Sequence, residues 1–239
     1  MRRARTLHCA LAVVLVVVLA GCGGDDTPIR TVTPQITASS PSPDLEAVTK
    51  KDPGCRLLTP KERASIAGQR LDAVFPSPKV EGTLFCRWVP TLKKPVTTSI
   101  QVTSQKLQSW VRNIPAHIER LMATGQSFDE HSKQLQEMKT EIARAPEKIS
   151  DEQACRYFRT LAKMGRGKAK AVGPKNEGIL FQGTQDGDFK VSWQRCGEGV
   201  HTEIVYDEPD LQVSLALGQA VIRLGKLAHK RGARILASE

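Results

Sequence analysis

The first apolar feature of the chain is an unbroken run from Cys9 to Ala20, preceded by Arg2, Arg3 and Arg5 and followed by Gly21 and Cys22. At 12 residues it falls short of the roughly 20 that a bilayer-spanning helix needs. It predicts an export signal over residues 1–21, with a charged start, a short apolar centre and small residues at its end. The pattern then goes blank. Gly23 to Pro53 holds Pro28, Pro34, Pro41, Pro43 and Pro53, many Thr and Ser and few large apolar groups. Such a segment cannot bury enough surface to offset the entropy of ordering it, and residues 22–53 read as a disordered tether.

Periodicity returns at Cys55. Thr59-Pro60-Lys61-Glu62 has the form of a capping box with proline at the first helical position, which predicts a short helix ending at Gly68. Two strands should follow, one with Leu84, Cys86 and Trp88 on one face, the other with Val96, Ile100 and Val102 on one face. Leu107, Val111, Ile114, Ile118, Leu121 and Met122 then recur at helical spacing, with Pro115 inside the pattern as a kink or a late start. Leu135, Met138 and Ile142 predict a polar connecting helix that ends before Pro146.

A second series opens at Ser150-Asp151-Glu152-Gln153, again a capping box, on a helix that carries Cys155, Tyr157, Phe158, Leu161 and Met164 and stops at Gly165. Ile179 to Gln185 and Asp188 to Trp193 read as a hairpin around Asp186-Gly187. Cys196 follows, out of phase with Phe189, Val191 and Trp193. Val200, Thr202, Ile204 and Tyr206 alternate as another strand. Val213, Leu217, Ala220, Val221, Leu224, Leu227 and Ala228 mark a long amphipathic helix.

Both series run in one order: a cysteine at a helix start, a strand with tryptophan near a second cysteine, another strand, an amphipathic helix. Counted from Leu107 and from Val213, apolar residues fall at the same offsets of 4, 7, 11, 14 and 15. The expectation is an α+β fold made of two similar helix–strands–helix units with antiparallel sheet, a diverged duplication. The first unit is placed at 54–126, the connecting helix at 127–149 and the second unit at 150–239.

The cysteines change the picture. Cys9 leaves with the signal, and Cys55, Cys86, Cys155 and Cys196 form an even set downstream of Cys22. In an exported chain that favours disulfides, for which three pairings exist. The repeated order favours Cys55–Cys86 and Cys155–Cys196, each tying a helix to its own sheet. No Cys-x-x-Cys occurs, so neither a redox pair nor a zinc knuckle is indicated.

Of 35 Lys and Arg, three lie in the signal, and with 25 acids the processed chain keeps a charge of about +7. The ordinary reading is a solvated, solubilising surface. Outside a cell such a surface more often meets anionic lipid or wall polymer than nucleic acid, and no aromatics interleave the basic residues as a nucleic-acid reader would require. Arg223, Lys226, His229, Lys230, Arg231 and Arg234 concentrate the charge near the C-terminus. They would serve a helix end, whose dipole favours cations, or an anionic surface.

Sites of chemistry are sparse. His117, His131, His201 and His229 lie at no metal-ligand spacing. There is no Gly-x-Ser-x-Gly and no Ser-x-x-Lys. Asp186 and Asp188 flank a turn glycine with too few oxygens for a calcium loop. Gly165 to Lys170 is a basic, Gly-containing loop without Gly-x-Gly-x-x-Gly spacing. Trp88, Trp110 and Trp193 read as core. No catalytic residue, metal or cofactor is predicted.

Leu19-Ala20-Gly21-Cys22 resembles the bacterial lipobox. The resemblance implies diacylglycerol on the Cys22 sulfur, cleavage before Cys22, acylation of the new amino group, and localisation at the extracytoplasmic face of the cell membrane. Cys55-x-Leu57-Leu58-Thr59 with Glu62 and Gly68, then Cys86-x-Trp88, behind that lipobox and a Pro/Ser/Thr tether, resembles a family of actinobacterial envelope lipoproteins built on a domain of unknown function. The likeness is strongest over 55–122 and brings no catalytic residues. The functional expectation is a non-enzymatic lipoprotein that binds an envelope protein or an anionic wall polymer. The alternatives are a lipid or small-molecule carrier with a pocket between sheet and helices, and a cell-wall hydrolase. Oligomeric state is left open.

Overall fold

The computed structural model describes residues 51–71, 73–76, 80–90, 98–123, 131–164, 168–172, 178–185, 188–208 and 214–239, all inside one compact unit, Pro41–Glu239. The signal, Cys22 and nearly all of the expected tether lie outside the described residues.

The chain is α+β. A 3-10 turn, Gly54–Arg56, leads into helix α1, Pro60–Ala67. The capping box is complete: Thr59 N–H donates to Glu62 Oε2 at 2.8 Å and Glu62 N–H to Thr59 Oγ1 at 3.3 Å. Gly68 ends the helix at φ +62°, the left-handed position that glycine takes without strain. Strands β1 Ala73–Pro76, β2 Thr83–Val89 and β3 Ser99–Lys106 follow, and helix α2, Leu107–Ala123, starts directly from β3. Pro115 lies within α2 and neither delays nor ends it. Helix α3, Ser132–Arg144, and a second 3-10 turn, Pro146–Lys148, bridge to helix α4, Asp151–Met164. Here only half of the expected capping box forms: Gln153 N–H reaches Ser150 Oγ at 3.2 Å, while the Gln153 side chain turns to Glu141 and Tyr157. Strands β4 Lys168–Val172, β5 Gly178–Gln185, β6 Asp188–Gly197 and β7 Val200–Asp207, then helix α5, Leu215–Ala237, complete the fold. The register closes the β5–β6 hairpin at Gln185 opposite Asp188. Its Asp-Gly turn lies outside the described residues.

All seven strands form one antiparallel sheet in the order β1-β2-β3-β7-β6-β5-β4. This corrects the picture of two units with separate sheets. β3 and β7 pair along their whole lengths, Ser99 opposite Asp207 through Lys106 opposite Val200, so the two series share a continuous ladder. Two further corrections concern the edges. Lys168 to Lys170, expected in a loop, belong to edge strand β4, and edge strand β1 was not expected at all. Cys196, placed after its strand by the sequence, lies within β6.

Helices cover both faces. On the first face, α1 and α5 pack on Cys86, Trp88, Ile100, Val102, Val191, Trp193, Ile204 and Tyr206, with Leu57, Leu58, Val221, Leu224, Ala228 and Leu236 between them. On the second, α2, α3 and α4 bring together Leu107, Val111, Ile114, Ile118, Leu135, Met138, Ile142, Tyr157 and Leu161. The long helix of each series therefore packs with the opening helix of the other: α2 with α4, α5 with α1.

Candidate functional site

The four cysteines downstream of Cys22 pair as Cys55–Cys86 and Cys155–Cys196. Parity explains where the bridges lie. Cys86 is two residues from Trp88 on β2 and shares its face. Cys196 is three residues past Trp193 on β6 and points to the opposite face. One bridge thus ties the N-terminal turn to the first face and the other ties α4 to the second. Both tryptophans are fully buried on the first face, and the Arg63 guanidinium lies 4.8 Å from the Trp88 ring centre. Arg63 itself is buried and donates to the Leu58 and Leu71 carbonyls.

Three glycines on α5, each seven residues from the next, set how close that helix comes. An added Cβ on Gly225 would overlap the Trp193 ring, one on Gly232 would overlap the Ser104 side chain, and one on Gly218 would press on Leu180. Along this line no ligand fits between α5 and the sheet. The apolar counting in the sequence passed over these residues, although the sevenfold spacing was there to read.

Under the same helix runs a buried polar chain. Ser104 Oγ and Thr202 Oγ1 are 2.9 Å apart, and His229 Nδ1 is 3.1 Å from Thr202 Oγ1. The order hydroxyl, hydroxyl, imidazole resembles a proton relay in composition only. Ser104 and Thr202 are 0% exposed and His229 is 1% exposed, and no carboxylate among the described residues hydrogen-bonds the imidazole. Burial, with nearby Arg195, pushes the His229 pKa down to about 4.

On the second face His201 lies between Trp110, stacked at 4.8 Å, and the edge of Phe158 at 5.2 Å. Neither ring nitrogen has a hydrogen-bond partner among the described residues. Burial first, then the neighbouring His229, pushes its pKa down to about 3. The strands here are polar rather than apolar. Thr103, Gln194 and Ser192 are half-buried around Glu203, which accepts from Gln194 Nε2 at 2.7 Å. Burial raises the Glu203 pKa and that hydrogen bond opposes the shift. Val205 and Gln101 continue the row toward the Lys190–Asp207 pair, 3.7 Å apart.

A separate open groove of about 930 Å³ lies along α3 and the Pro146–Lys148 turn, lined among others by Lys133, Glu141, Arg144, Lys148 and Gln153. Tyr157 donates to Glu141 at its wall, and desolvation first, then that carboxylate, raises the phenol's pKa to about 12.

Among the described residues no group of three His, Cys, Asp or Glu is placed to hold a metal ion, and no helix is long and apolar enough to cross a membrane. No family model, no curated protein and no solved structure matches the chain.

Proposed function

We propose that this chain is an exported protein held at the extracytoplasmic face of the cell membrane by lipid on Cys22, and that its folded part binds an envelope component without catalysing a reaction. The observation that carries the proposal is Leu19-Ala20-Gly21-Cys22 at the end of a short apolar run. Two disulfides in the folded part favour an oxidising compartment. The sealing of Ser104, Thr202 and His229 beneath α5 favours a structural role for the hydroxyl–imidazole chain over a catalytic one. Two acyl chains or more would be needed for stable retention, since one binds only marginally. Mass spectrometry of the native protein should find cleavage before Cys22 and diacylglycerol on its sulfur, and Cys22→Ala should move the protein out of the membrane fraction. An unmodified thiol or unchanged retention would overturn the anchor. Crosslinking in intact envelopes should enrich a partner; a measurable turnover without any partner would overturn the binding role.

The carrier reading keeps one supporting observation, the half-buried row of Thr103, Ser192, Gln194, Glu203 and Val205 on the second face. With α5 in direct contact with the sheet, a ligand would lie on this row. Co-purification of a small molecule, lost in Glu203→Leu, is the outcome that reading requires.

A further inference from the structure

Helix α5 carries Arg223, Lys226, Lys230, Arg231 and Arg234 and no acid between Leu215 and Ala237. Its inward line is occupied by Gly218, Val221, Leu224, Gly225, Ala228 and Gly232. Arg223, Lys230 and Arg234 are exposed on the outward side, and no ion pair among the described residues neutralises them. Arg231 is held by Glu62 at 2.7 and 2.8 Å, and Lys226 is also engaged, so neither counts toward the free charge. The helix dipole does not account for the series, because it acts over the last turn only and of these residues only Arg234 lies there.

The imbalance extends over the whole first-face layer. Residues 51–71 and 214–239 hold ten Lys and Arg against three acids, whereas the second-face helical segments, 107–123 and 131–164, hold nine against six. The chain leading from Cys22 enters the fold in this same layer. Lys51 precedes the Gly54–Arg56 turn, Gly54 lies against the Phe85 backbone, and the Leu57 carbonyl accepts from Arg231 of α5 at 2.9 Å. The basic helix and the root of the tether are therefore neighbours.

We infer that the outward stripe of α5, Arg223, Lys230 and Arg234, is a docking surface for the anionic headgroups of the membrane to which the chain is tied. The inference rests on the anchor reading, since the lipid would deliver this layer to the bilayer. A single acyl signal and a basic patch reinforce one another in membrane binding, and each Lys or Arg near an anionic surface contributes about 1 kcal/mol.

The test uses the processed chain, residues 22–239, carrying Cys22→Ala so that no lipid contributes. It is sedimented with neutral phosphatidylcholine vesicles and with vesicles about one third phosphatidylglycerol, at low and high salt. The expected result is binding to the anionic vesicles alone, weakened by salt. Arg223→Gln/Lys230→Gln/Arg234→Gln should lower the affinity about 100-fold, and Arg112→Gln/Arg120→Gln/Arg159→Gln on the second-face helices should lower it by less than about 3-fold. Equal loss in the two triple variants would overturn the inference, because binding would then follow net charge rather than this face. Binding to neutral vesicles, or to isolated wall polymer but to neither vesicle, would also overturn it. Failure of the anchor reads out separately: an unmodified Cys22 in the native protein alongside intact vesicle binding removes the lipid and leaves the patch.

Discussion

Gly225 is the residue on which the α5 contact turns. A glycine inside a helix costs about 1 kcal/mol relative to alanine, so its retention in the middle of a 23-residue helix reflects the Trp193 ring beneath it. Gly225→Ala should destabilise the protein by about 3 kcal/mol through overpacking, since the indole is buried and cannot retreat. Gly218→Ala meets only the flexible ends of the Leu180 and Gln182 side chains and should be neutral to about 1 kcal/mol stabilising. Urea midpoints of the two variants check the contrast. The buried histidines make a second prediction. The folded pKa values of His201 and His229, about 3 and about 4, lie below the 6.5 of an unfolded histidine. The unfolded chain therefore binds protons that the folded chain refuses, and stability falls as pH drops from about 6.5 toward about 4. Glu62, held at about 2 chiefly by Arg231, acts in the same direction below its unfolded value. The urea midpoint should fall between pH 7 and pH 4.5. His201→Phe, which keeps a ring against Trp110, should lose part of that slope; an unchanged slope would show that His201 is free to protonate in the fold.

At the scale of elements, the two disulfides close sequence separations of 31 and 41 residues and on loop-entropy grounds should each contribute about 3–4 kcal/mol. Cys55→Ser/Cys86→Ser and Cys155→Ser/Cys196→Ser should each lower stability by that order in chemical denaturation, and the unreduced parent should yield no protein thiol from this set. The pairing was legible in the sequence because the order of helix, tryptophan strand and cysteine repeats. So were α1, with its Thr59, Pro60, Glu62 and Gly68 signals, and the central strands, whose alternation matches one buried face. The edges were not legible. Ala73–Pro76 is four residues long with a proline, and Lys168–Val172 reads as a basic segment until β5 supplies its hydrogen bonds. The faces were half legible: the phase slip at Cys196 was visible, but its consequence, a bridge on the opposite side of the sheet, depends on knowing that one sheet is shared. Glu203 and its polar row could not be told from a solvated strand face, because alternation alone does not say whether helices cover the other side.

For the molecule as a whole, the exchange of long helices between the two series decides what can fold alone. Within residues 54–126, α2 has its apolar line of Leu107, Val111, Ile114 and Ile118 facing partners that belong to α3 and α4, among them Leu135, Met138, Tyr157 and Leu161. The first-face strands of the same piece are covered by Val221, Leu224, Ala228 and Leu236 of α5. Cutting the chain after 126 would strip both covers and leave β3 as an open edge with unpaired backbone groups along its length. Residues 54–126 should therefore fail to fold as an isolated fragment even with Cys55–Cys86 formed, giving no cooperative melt by circular dichroism. Mixed with 127–239, they should recover a cooperative transition, because the β3–β7 ladder and both helix contacts can re-form between the pieces. A fragment 54–126 that melts cooperatively by itself would show the first series to be a domain in its own right, with the shared sheet a later docking of two finished halves.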